Sequence, residues 1–284
     1  MAHPVRAHGG ATAAEKERQL IAWLRSVGSV AIGYSGGVDS AYLAAVALEA
    51  LGRERVLAII GRSATYPDSQ WQTARGLAAA MGLRVLEVST DEINDPNYAA
   101  NPTNRCYFCK TELWSVLVPA AKLHGLAAVV DGTNADDAHD YRPGAAAARE
   151  NGVRSPLAEV GLTKVEIRER SQARGLPSWD QPSSPCLASR IPYGTAVTVE
   201  RLQRVGDAEA ALRAIGVRGD LRVRHHDDLA RVEMSADEMA RWLEPPAAQR
   251  LRAAVLTAGY SRVAIDLRGF RSGSLNVLGG VRAE

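Results

Sequence analysis

The alternation of short apolar segments with helical segments is the feature that most constrains how this chain can fold. Four strands are predicted, at residues 30–35, 56–60, 83–88 and 126–130. The helices between them each end just before a glycine, and they are predicted at residues 38–51, 67–81 and 110–124. Strands that alternate with helices of this length form a parallel sheet that is covered on both faces. We therefore expect an α/β fold, with a further helix at residues 15–27 before the first strand.

Three polar loops are expected to meet at one edge of this sheet. In parallel sheets, ligands bind beyond the carboxyl ends of the strands. The loops at residues 35–40, 105–110 and 131–137 all belong to that edge. The segment 91–109 is predicted to be a polar loop.

The sequence changes character after a predicted helix at residues 163–174. Residues 177–194 contain four prolines, which indicates an ordered loop or a hinge. The pattern beyond it predicts a smaller α+β unit with a hairpin through 227–228 and a helix broken at 245–246. Its helices and strands are expected at residues 199–215, 221–225, 230–234, 236–258 and 262–267. The predicted organisation is a flexible tail at 1–15, an α/β unit at 16–176, a hinge loop at 177–198 and the α+β unit at 199–284.

Composition excludes several classes of protein. With 284 residues, of which 46% are hydrophobic and 23% charged, the chain is expected to be globular rather than disordered. A net charge of +2 is small for nucleic-acid binding that depends on bulk charge. No apolar stretch is long enough to span a membrane, and no signal peptide is evident, so we expect a cytoplasmic protein. Lysine is rare among the 34 basic residues, which makes each lysine in a loop notable. The lysines are Lys16, Lys110, Lys122 and Lys164.

Residues 35–40 read Ser-Gly-Gly-Val-Asp-Ser and join the first predicted strand to a helix. The glycines let the backbone approach an anion, and the start of the helix directs N–H groups towards it. The run is not a Walker A loop, because no lysine follows the glycines. Asp39 alone would repel phosphates, so its presence indicates a divalent cation such as Mg²⁺. The six residues together favour a nucleotide phosphate site over a simple glycine turn.

These six residues match the signature of the PP-loop ATP pyrophosphatases, which the chain therefore resembles. The resemblance implies that ATP is cleaved between its α and β phosphates, that a substrate oxygen is adenylated, and that pyrophosphate leaves. A nucleophile such as ammonia or sulfide then displaces AMP. Residues 131–134, Asp-Gly-Thr-Asn, resemble a later loop of the same family. The residues expected to bind ATP are Ser35, Gly36, Gly37, Val38, Asp39, Ser40, Ser63, Gly132, Thr133 and Arg190.

The three cysteines are an odd number, which argues against a disulfide scaffold. Residues 106–109 form a C-x-x-C motif, which occurs in redox pairs, zinc sites and iron–sulfur sites. A zinc site needs a fourth ligand, for which His139 or His226 is available. Arg190 follows Cys186 by four residues, and a nearby guanidinium lowers the pKa of a thiol. A small buried apolar role remains the alternative for a single cysteine.

Two further motifs make the resemblance more specific. Residues 104–110 read Asn-Arg-Cys-Tyr-Phe-Cys-Lys, and residues 185–194 read Pro-Cys-Leu-Ala-Ser-Arg-Ile-Pro-Tyr-Gly. Together with the PP-loop they resemble the LarE sulfur transferases, over most of residues 16–270. The resemblance implies that the substrate is pyridinium-3,5-biscarboxylic acid mononucleotide. Its carboxylates are adenylated and converted to thiocarboxylates, on the way to the nickel-pincer nucleotide cofactor of lactate racemase and similar enzymes.

The number of cysteines distinguishes two types within this family. Members with one cysteine, at the position of Cys186, sacrifice its sulfur and turn over once. Members that also carry the C-x-x-C hold a [4Fe-4S] cluster, whose open iron binds a sulfide that is transferred. The resemblance therefore implies that Cys106, Cys109 and Cys186 are both cluster ligands and catalytic residues. Three thiolates leave one iron without a protein ligand, as a catalytic metal site requires.

Basic residues for an anionic substrate are predicted in both parts of the chain. Arg222 and Arg224 alternate along a predicted strand, so both face the same side and suit a phosphate or carboxylate. An exposed strand face is the alternative for these arginines. We interpret His225 and His226 as a strand end at the surface. The residues expected to contact the substrate are Lys110, Arg105, Ser189, Arg222, Arg224 and Glu233.

Other functions compatible with a PP-loop remain open at this stage. A tRNA thiolase also combines a PP-loop with reactive cysteines, but the small net charge counts against it. An ammonia-using synthetase leaves the cysteines unexplained, and a regulatory nucleotide-binding module lacks catalysis. The family resemblance implies a homo-oligomer built from dimers, with a hexamer as one form. It leaves the sulfide donor open.

Overall fold

Four parallel strands form the central sheet, in the order β3-β2-β1-β4. The strands are β1 (Val30–Gly33), β2 (Val56–Arg62), β3 (Arg84–Ser89) and β4 (Ala128–Val130). The interiors of β1 and β2 are fully buried because helices cover both faces of the sheet. The predicted α/β fold with a parallel sheet is therefore confirmed.

The structure, a computed structural model, describes residues 11–139, 143–182 and 184–271, with the backbone alone at 138 and 139. Residues 1–10 of the predicted tail and residues 272–284 of the predicted α+β unit lie outside the described residues. So does the side chain of His139. The first helix begins at Ala13, two residues before its predicted start, and is capped by Thr12.

Helices pack on the two faces of the sheet in separate groups. They are α1 (Ala13–Val27), α2 (Val38–Leu51), α3 (Asp68–Ala80), α4 (Pro96–Ala99), α5 (Arg105–Leu123), α6 (Pro143–Glu150), α7 (Pro156–Glu159) and α8 (Lys164–Ala173). One face carries α1, α2, α3 and α8, which form the largest apolar core with β1 and β2. The other face carries α5 and α6 around Trp114. In the part of the chain that the structure describes, no helix has the length and apolar character needed to cross a membrane.

A second, smaller sheet lies in the C-terminal part of the chain, in the order β5-β6-β7. The elements here are α9 (Val199–Ala214), β5 (Leu221–His226), β6 (Leu229–Met234), α10 (Ala236–Leu243), α11 (Ala247–Leu256) and β7 (Arg262–Ile265). Strands β5 and β6 form the predicted antiparallel hairpin, and β7 adds parallel to β6. Asp227, at the hairpin turn, has a positive φ of 53°. The predicted helix break is confirmed, since α10 ends before the Pro245-Pro246 pair and α11 begins after it.

The largest difference from the sequence prediction concerns the C-x-x-C motif. We predicted it in a polar loop with a helix starting at Lys110, but α5 begins at Arg105. Cys106 and Cys109 therefore lie in the first turns of α5. Arg105 is 4% exposed and Cys109 packs against a buried apolar cluster, so tertiary contacts draw these residues into the helix. The preceding segment also holds the short helix α4, which the prediction missed.

Candidate active site

The PP-loop is built around two serine hydroxyl groups that face each other between β1 and α2. Ser35 Oγ and Ser40 Oγ lie 3.2 Å apart, and the Ser35 backbone N–H donates to Ser40 Oγ at 3.3 Å. Gly36 has a φ of +69°, and a Cβ there would lie 2.5 Å from the Ala74 Cα, so glycine is required. Gly37 is the N-cap of α2 and has no side chain to cap the first turn. The backbone N–H groups at the start of α2 are thus placed for an anion.

A lysine from a distant part of the chain reaches this loop. Lys164, the first residue of α8, donates from Nζ to Asp39 Oδ2 at 2.6 Å. The other carboxylate oxygen, Asp39 Oδ1, is buried and has no hydrogen-bond partner among the described residues. The loop lacks a lysine of its own, but the fold supplies one from 125 positions further along the chain. Sequence reasoning missed Lys164 as a site residue, and its only signal was the scarcity of lysine.

The loop after β4 packs directly on the start of α2. A Cβ at Gly132 would lie 3.0 Å from the Ser40 backbone N, so these two segments are in close contact. Thr133 is held in place by Asp131, which accepts from its backbone N–H at 3.1 Å and from its hydroxyl at 2.9 Å. Ser155 Oγ donates to the same carboxylate at 2.7 Å. The structure therefore brings together the two loops that the sequence assigned to one edge.

The loop after β2 connects the PP-loop to residues 185–195, which carry Cys186 and are called the Cys186 segment below. Ser63 Oγ and Thr65 Oγ1 lie 2.8 Å apart. On one side, the Tyr66 hydroxyl donates to the Ser35 backbone oxygen at 2.9 Å. On the other, the Leu187 backbone N–H donates to the Thr65 backbone oxygen at 2.9 Å. Two hydrogen bonds therefore link the PP-loop to Leu187, the residue after Cys186, through the single loop that follows β2.

The three cysteines share one neighbourhood, and all are free thiols. Cys106 is exposed, while Cys109 and Cys186 are half-buried against the same apolar cluster. Burial raises the pKa of Cys109, and the nearby Glu92 carboxylate and the Cys186 thiol raise it further. Burial lowers the pKa of Arg105, but the adjacent thiols Cys186 and Cys106 outweigh this effect and raise it. Arg105 thus interacts electrostatically with Cys106 and Cys186, and Lys110 with Cys109.

The cysteines do not form a ready-made metal site. Within the described ranges, no group of three or more His, Cys, Asp or Glu side chains is arranged to hold a metal ion. The donor set itself, three thiols beside the guanidinium of Arg105, suits an anionic iron–sulfur centre.

Arg190 forms hydrogen bonds with the backbone of the Cys186 segment. Its side chain is 2% exposed and forms a bidentate ion pair with Glu209, with both N–O distances at 2.9 Å. It also donates to the backbone oxygens of Pro185 at 2.6 Å and Cys186 at 3.0 Å, and to Ser189 Oγ at 3.0 Å. The guanidinium is therefore engaged with protein partners. A contact between Arg190 and ATP stays a prediction.

Two predicted substrate residues lie in the interior rather than on an exposed strand face. Arg222 and Arg224 are 6% and 5% exposed, so the alternative of a solvated face is wrong. Arg224 forms a 2.9 Å ion pair with Glu233 and donates to the Ser189 backbone oxygen at 2.8 Å. Burial and the neighbouring guanidiniums of Arg190 and Arg224 lower the pKa of Arg222 to about 10. This concentration of positive charge beside the Cys186 segment suits an anionic ligand.

Lys110 and Arg105 lie on α5, next to the cysteines. Lys110 Nζ lies 5.3 Å from the centre of the Trp114 ring. A Cβ at Gly144 would lie 2.8 Å from the Lys110 Cγ and 3.3 Å from the Cys106 backbone oxygen, so α6 packs closely on this part of α5. The structure thus places Lys110 and Arg105 with the cysteines, and Ser189 with Arg224.

The prediction that His225 lies at the surface is wrong. Its side chain is 1% exposed, and Nδ1 lies 3.1 Å from the Tyr260 hydroxyl. Burial lowers the pKa of His225, and Arg201 and Arg204 lower it further, so it is neutral near pH 7. His226, at the end of β5, is half-buried.

Comparison with known proteins finds similar sequences over the PP-loop region and over most of the chain. A family model described as NAD synthase matches residues 19–104, which include the PP-loop and end two residues before Cys106. An uncharacterized protein of Synechocystis sp. is 46% identical over 86% of this chain and 91% of its own length. The pyridinium-3,5-bisthiocarboxylic acid mononucleotide synthase of Lactiplantibacillus plantarum is 35% identical over 94% of this chain and 95% of its own length. An NH₃-dependent NAD⁺ synthetase of Pyrobaculum aerophilum is 38% identical, but over only 28% of this chain and 33% of its own length.

Proposed function

Because the chain belongs to the LarE family of pyridinium-3,5-bisthiocarboxylic acid mononucleotide synthases, we propose that it is an ATP-dependent sulfur transferase acting on pyridinium-3,5-biscarboxylic acid mononucleotide. One observation carries this proposal. The loop after β2 contacts the PP-loop through Tyr66 and the Cys186 segment through the hydrogen bond between Leu187 N and Thr65 O. A single loop therefore joins the nucleotide loop to the segment that carries the Cys186 thiol. Activation by ATP followed by sulfur transfer requires these two groups to be near each other.

In the first step, a carboxylate oxygen of the substrate attacks the α-phosphorus of ATP. The bond between that phosphorus and the bridging oxygen breaks, and pyrophosphate leaves with the electron pair. The N–H groups at the start of α2 and the hydroxyls of Ser35 and Ser40 bind the phosphates. Lys164 supplies the cation that a Walker lysine supplies elsewhere, and it stabilises the leaving pyrophosphate.

The residues at the PP-loop fit a Mg²⁺ ion that accompanies ATP. Asp39 Oδ1 is buried and without a partner among the described residues, which is the position of a carboxylate oxygen that awaits a cation. Mg²⁺ held there would neutralise phosphate charge as pyrophosphate departs. Lys164 keeps the other oxygen of Asp39 fixed, so the carboxylate is oriented before ATP binds.

In the second step, a sulfur nucleophile attacks the carbon of the acyl adenylate. The bond from that carbon to the AMP oxygen breaks, and AMP leaves with the electron pair. Arg222 and Arg224 are proposed to bind the phosphate of the substrate, with Glu233 orienting Arg224 through their ion pair. Lys110, Arg105 and Ser189 are proposed to line the path between the cysteines and this phosphate.

For the source of sulfur, we propose that Cys106, Cys109 and Cys186 hold a [4Fe-4S] cluster. Bound there, such a cluster supplies an open iron that carries a transferable sulfide. The presence of all three thiols in one neighbourhood, with Arg105 to offset negative charge, supports this source over the sacrifice of Cys186. In the sacrificial route the Cβ–S bond of Cys186 breaks and leaves dehydroalanine, so each chain works once.

The remaining features of the proposal come from the family. The product serves the nickel-pincer nucleotide cofactor of lactate racemase and similar enzymes. Residues 16–176 form the ATP unit, residues 177–198 carry Cys186, and residues 199–284 bind substrate and join copies of the chain. The protein acts in the cytoplasm as a dimer-based homo-oligomer, with neither a membrane nor a nucleic acid as a partner.

The proposed function is tested by pyrophosphate release. Anaerobic protein is mixed with ATP, Mg²⁺ and inorganic sulfide, with and without the pyridinium substrate, and pyrophosphate and thiocarboxylate are measured. Release that depends on the substrate and is accompanied by thiocarboxylate supports the proposal. Release that depends on tRNA, or on ammonia with formation of an amide, would replace it with one of the other PP-loop activities. No release with any substrate would leave a nucleotide-binding module.

The source of sulfur is tested by metal content and turnover. Protein purified without oxygen should be brown and contain about four irons per chain, as a [4Fe-4S] centre requires. Cys106→Ala should abolish repeated turnover. A colourless protein with about one zinc would refute the cluster. A single turnover that depends on Cys186 alone, with loss of one sulfur from the chain, would establish the sacrificial route.

A further inference from the structure

Asn101, between α4 and α5, has an unusual backbone conformation for a buried residue. It is 0% exposed, its φ is +57°, and it directly precedes Pro102. Among the described residues, Asp227 is the only other residue besides glycine with a positive φ. Asparagine tolerates this left-handed region better than most residues, but the conformation persists only where the surroundings enforce it.

The surroundings of Asn101 are the segment that follows Cys186. The Asn101 Nδ2 amide donates to the backbone oxygens of Pro192 at 2.7 Å and Thr195 at 2.8 Å, and more weakly to Ile191 at 3.4 Å. The Gly194 backbone N–H donates back to the Asn101 backbone oxygen at 2.9 Å. Four hydrogen bonds thus hold residues 191–195 to this one residue.

Asn101 is also joined to the helix that carries the other two cysteines. Its Oδ1 accepts a hydrogen bond from Arg105 Nη1. Arg105 is the first residue of α5, directly before Cys106. The amide of Asn101 therefore uses its oxygen on the C-x-x-C helix and its nitrogen on the Cys186 segment.

The other end of the Cys186 segment is fixed independently by Thr65. The Thr65 backbone oxygen accepts from Leu187 N at 2.9 Å, and the Thr65 hydroxyl donates to Glu92 Oε1 at 3.0 Å. Glu92 is 2% exposed and acts on Cys109 electrostatically. Residues 187 and 191–195 are thus both attached to the segment that leads into α5.

We propose that Asn101 is a positioning residue that sets the distance between Cys186 and the C-x-x-C pair. It acts through Arg105 and the 191–195 backbone. The chemical consequence rests on the proposed function. The spacing of the cysteines that Asn101 fixes serves the sulfur step and not the adenylation step. Thr65 is the second point of attachment for the same segment.

The distance between the thiols is tested on metal-free protein, independently of any activity. In a Cys106→Ser background the remaining thiols are Cys109 and Cys186, and dibromobimane becomes fluorescent only when it bridges two thiols. Asn101→Gly keeps the left-handed backbone and removes the amide. It should slow bridging by about tenfold while monofunctional alkylation of each thiol changes little, since misplacement by about 1 Å has effects of that size or larger. Asp227→Gly is the matched control, because it also places glycine at a positive φ but at the tip of the β5–β6 hairpin.

The consequence for chemistry is tested by separating the two steps. In the first turnover, Asn101→Gly and Asn101→Asp should release pyrophosphate at nearly the parent rate, while thiocarboxylate formation falls by about tenfold to a hundredfold. Thr65→Val, which removes one hydroxyl and keeps the size of the side chain, should show a milder form of the same split. Thr65→Ser should restore the parent behaviour.

Two results would overturn this inference. One is unchanged bridging in Asn101→Gly. The other is a parallel loss of pyrophosphate release and thiocarboxylate formation within the first turnover in both Asn101→Asp and Thr65→Val, which is what a purely structural role predicts. If the parent protein releases no pyrophosphate with the substrate, the proposed function fails. The bridging rates then decide the positioning role by themselves.

Discussion

Replacing Lys164 with methionine removes the cation from the PP-loop and keeps most of the side chain's length. Lys164 Nζ lies 2.6 Å from Asp39 Oδ2, and the two side chains are 35% and 22% exposed. A pair exposed to this extent contributes at most about 1 kcal/mol to folding, so Lys164→Met should unfold at nearly the parent denaturant concentration.

The effect on ATP use should be larger than the effect on stability. A hydrogen bond to a charged group contributes about 1.5–3 kcal/mol, and the variant loses this contribution to the phosphates. It also leaves the Asp39 carboxylate without its cation at an anion site. Since about 1.4 kcal/mol corresponds to tenfold, kcat/KM for ATP should fall by about tenfold to a hundredfold in a pyrophosphate-release assay. The KM of the pyridinium substrate should change little.

Lys16 provides a matched control, because it lies on α1 and pairs with Glu166, a residue of α8. Lys16 Nζ lies 2.7 Å from Glu166 Oε1, and these side chains are 18% and 21% exposed. Lys16→Met therefore removes an ion pair of the same geometry that does not involve the PP-loop. It should leave kcat/KM for ATP within about twofold of the parent. The reasoning is refuted if Lys164→Met keeps the parent kcat/KM, or if Lys16→Met loses as much.

Further predictions concern acid stability, thiol reactivity and substrate binding. Burial raises the pKa of Glu17, but hydrogen bonds from two arginines and a tyrosine outweigh burial and lower it to about 2. Its stabilisation is present above the ordinary carboxyl pKa and is lost as pH falls towards 2, so Glu17→Gln should flatten the decline in the free energy of unfolding over that range, measured in urea. In metal-free protein, iodoacetamide should modify Cys109 more slowly than Cys106, as measured by peptide mass spectrometry. Glu92→Gln should accelerate the reaction at Cys109. Equal rates at the two cysteines in the parent protein would contradict this prediction. Arg222→Gln should raise the KM of the pyridinium substrate by about tenfold and leave that of ATP unchanged, and a change in both would count against a substrate-specific site.

The fold of the nucleotide half follows closely from local sequence patterns. Short apolar strands, helices and closing glycines recur in a fixed order, and the parallel sheet is the arrangement that buries them. The hairpin between β5 and β6 and the break between α10 and α11 were predictable for the same reason, because turn and proline signals act over a few residues.

The start of α5 was not predictable in this way. Residues 105–110 place two adjacent aromatic residues, Tyr107 and Phe108, between cysteines and basic residues, so no apolar period marks a helix there. The helix begins early because Arg105 is drawn inwards by Asn101 and Cys109 packs against the apolar cluster around Leu187. Cys109 and Leu187 lie about eighty residues apart, and Asn101 is itself held by Pro192, 91 positions away, so no window of sequence contains these contacts.

The motifs of the candidate site were predictable, but the contacts that join distant parts of the chain at the site were not. The serine and glycine residues of the PP-loop and the three cysteines carry strong local signals. Asn101 carries none, because an asparagine in a loop is an ordinary residue, and Lys164 is marked only by the scarcity of lysine. The burial of Arg222 and His225 also escaped prediction, since polar residues in a strand usually indicate a solvated face.

The fate of the carboxylate oxygen tests the central claim most directly. If the substrate carboxylates are labelled with ¹⁸O, attack on the α-phosphorus followed by displacement at carbon must transfer one labelled oxygen to AMP for each sulfur installed. Mass spectrometry of AMP and of the thiocarboxylate product measures both quantities in one reaction. The proposed function predicts one labelled AMP per thiocarboxylate and unlabelled pyrophosphate. Thiocarboxylate formed with unlabelled AMP, or label in pyrophosphate, would contradict it.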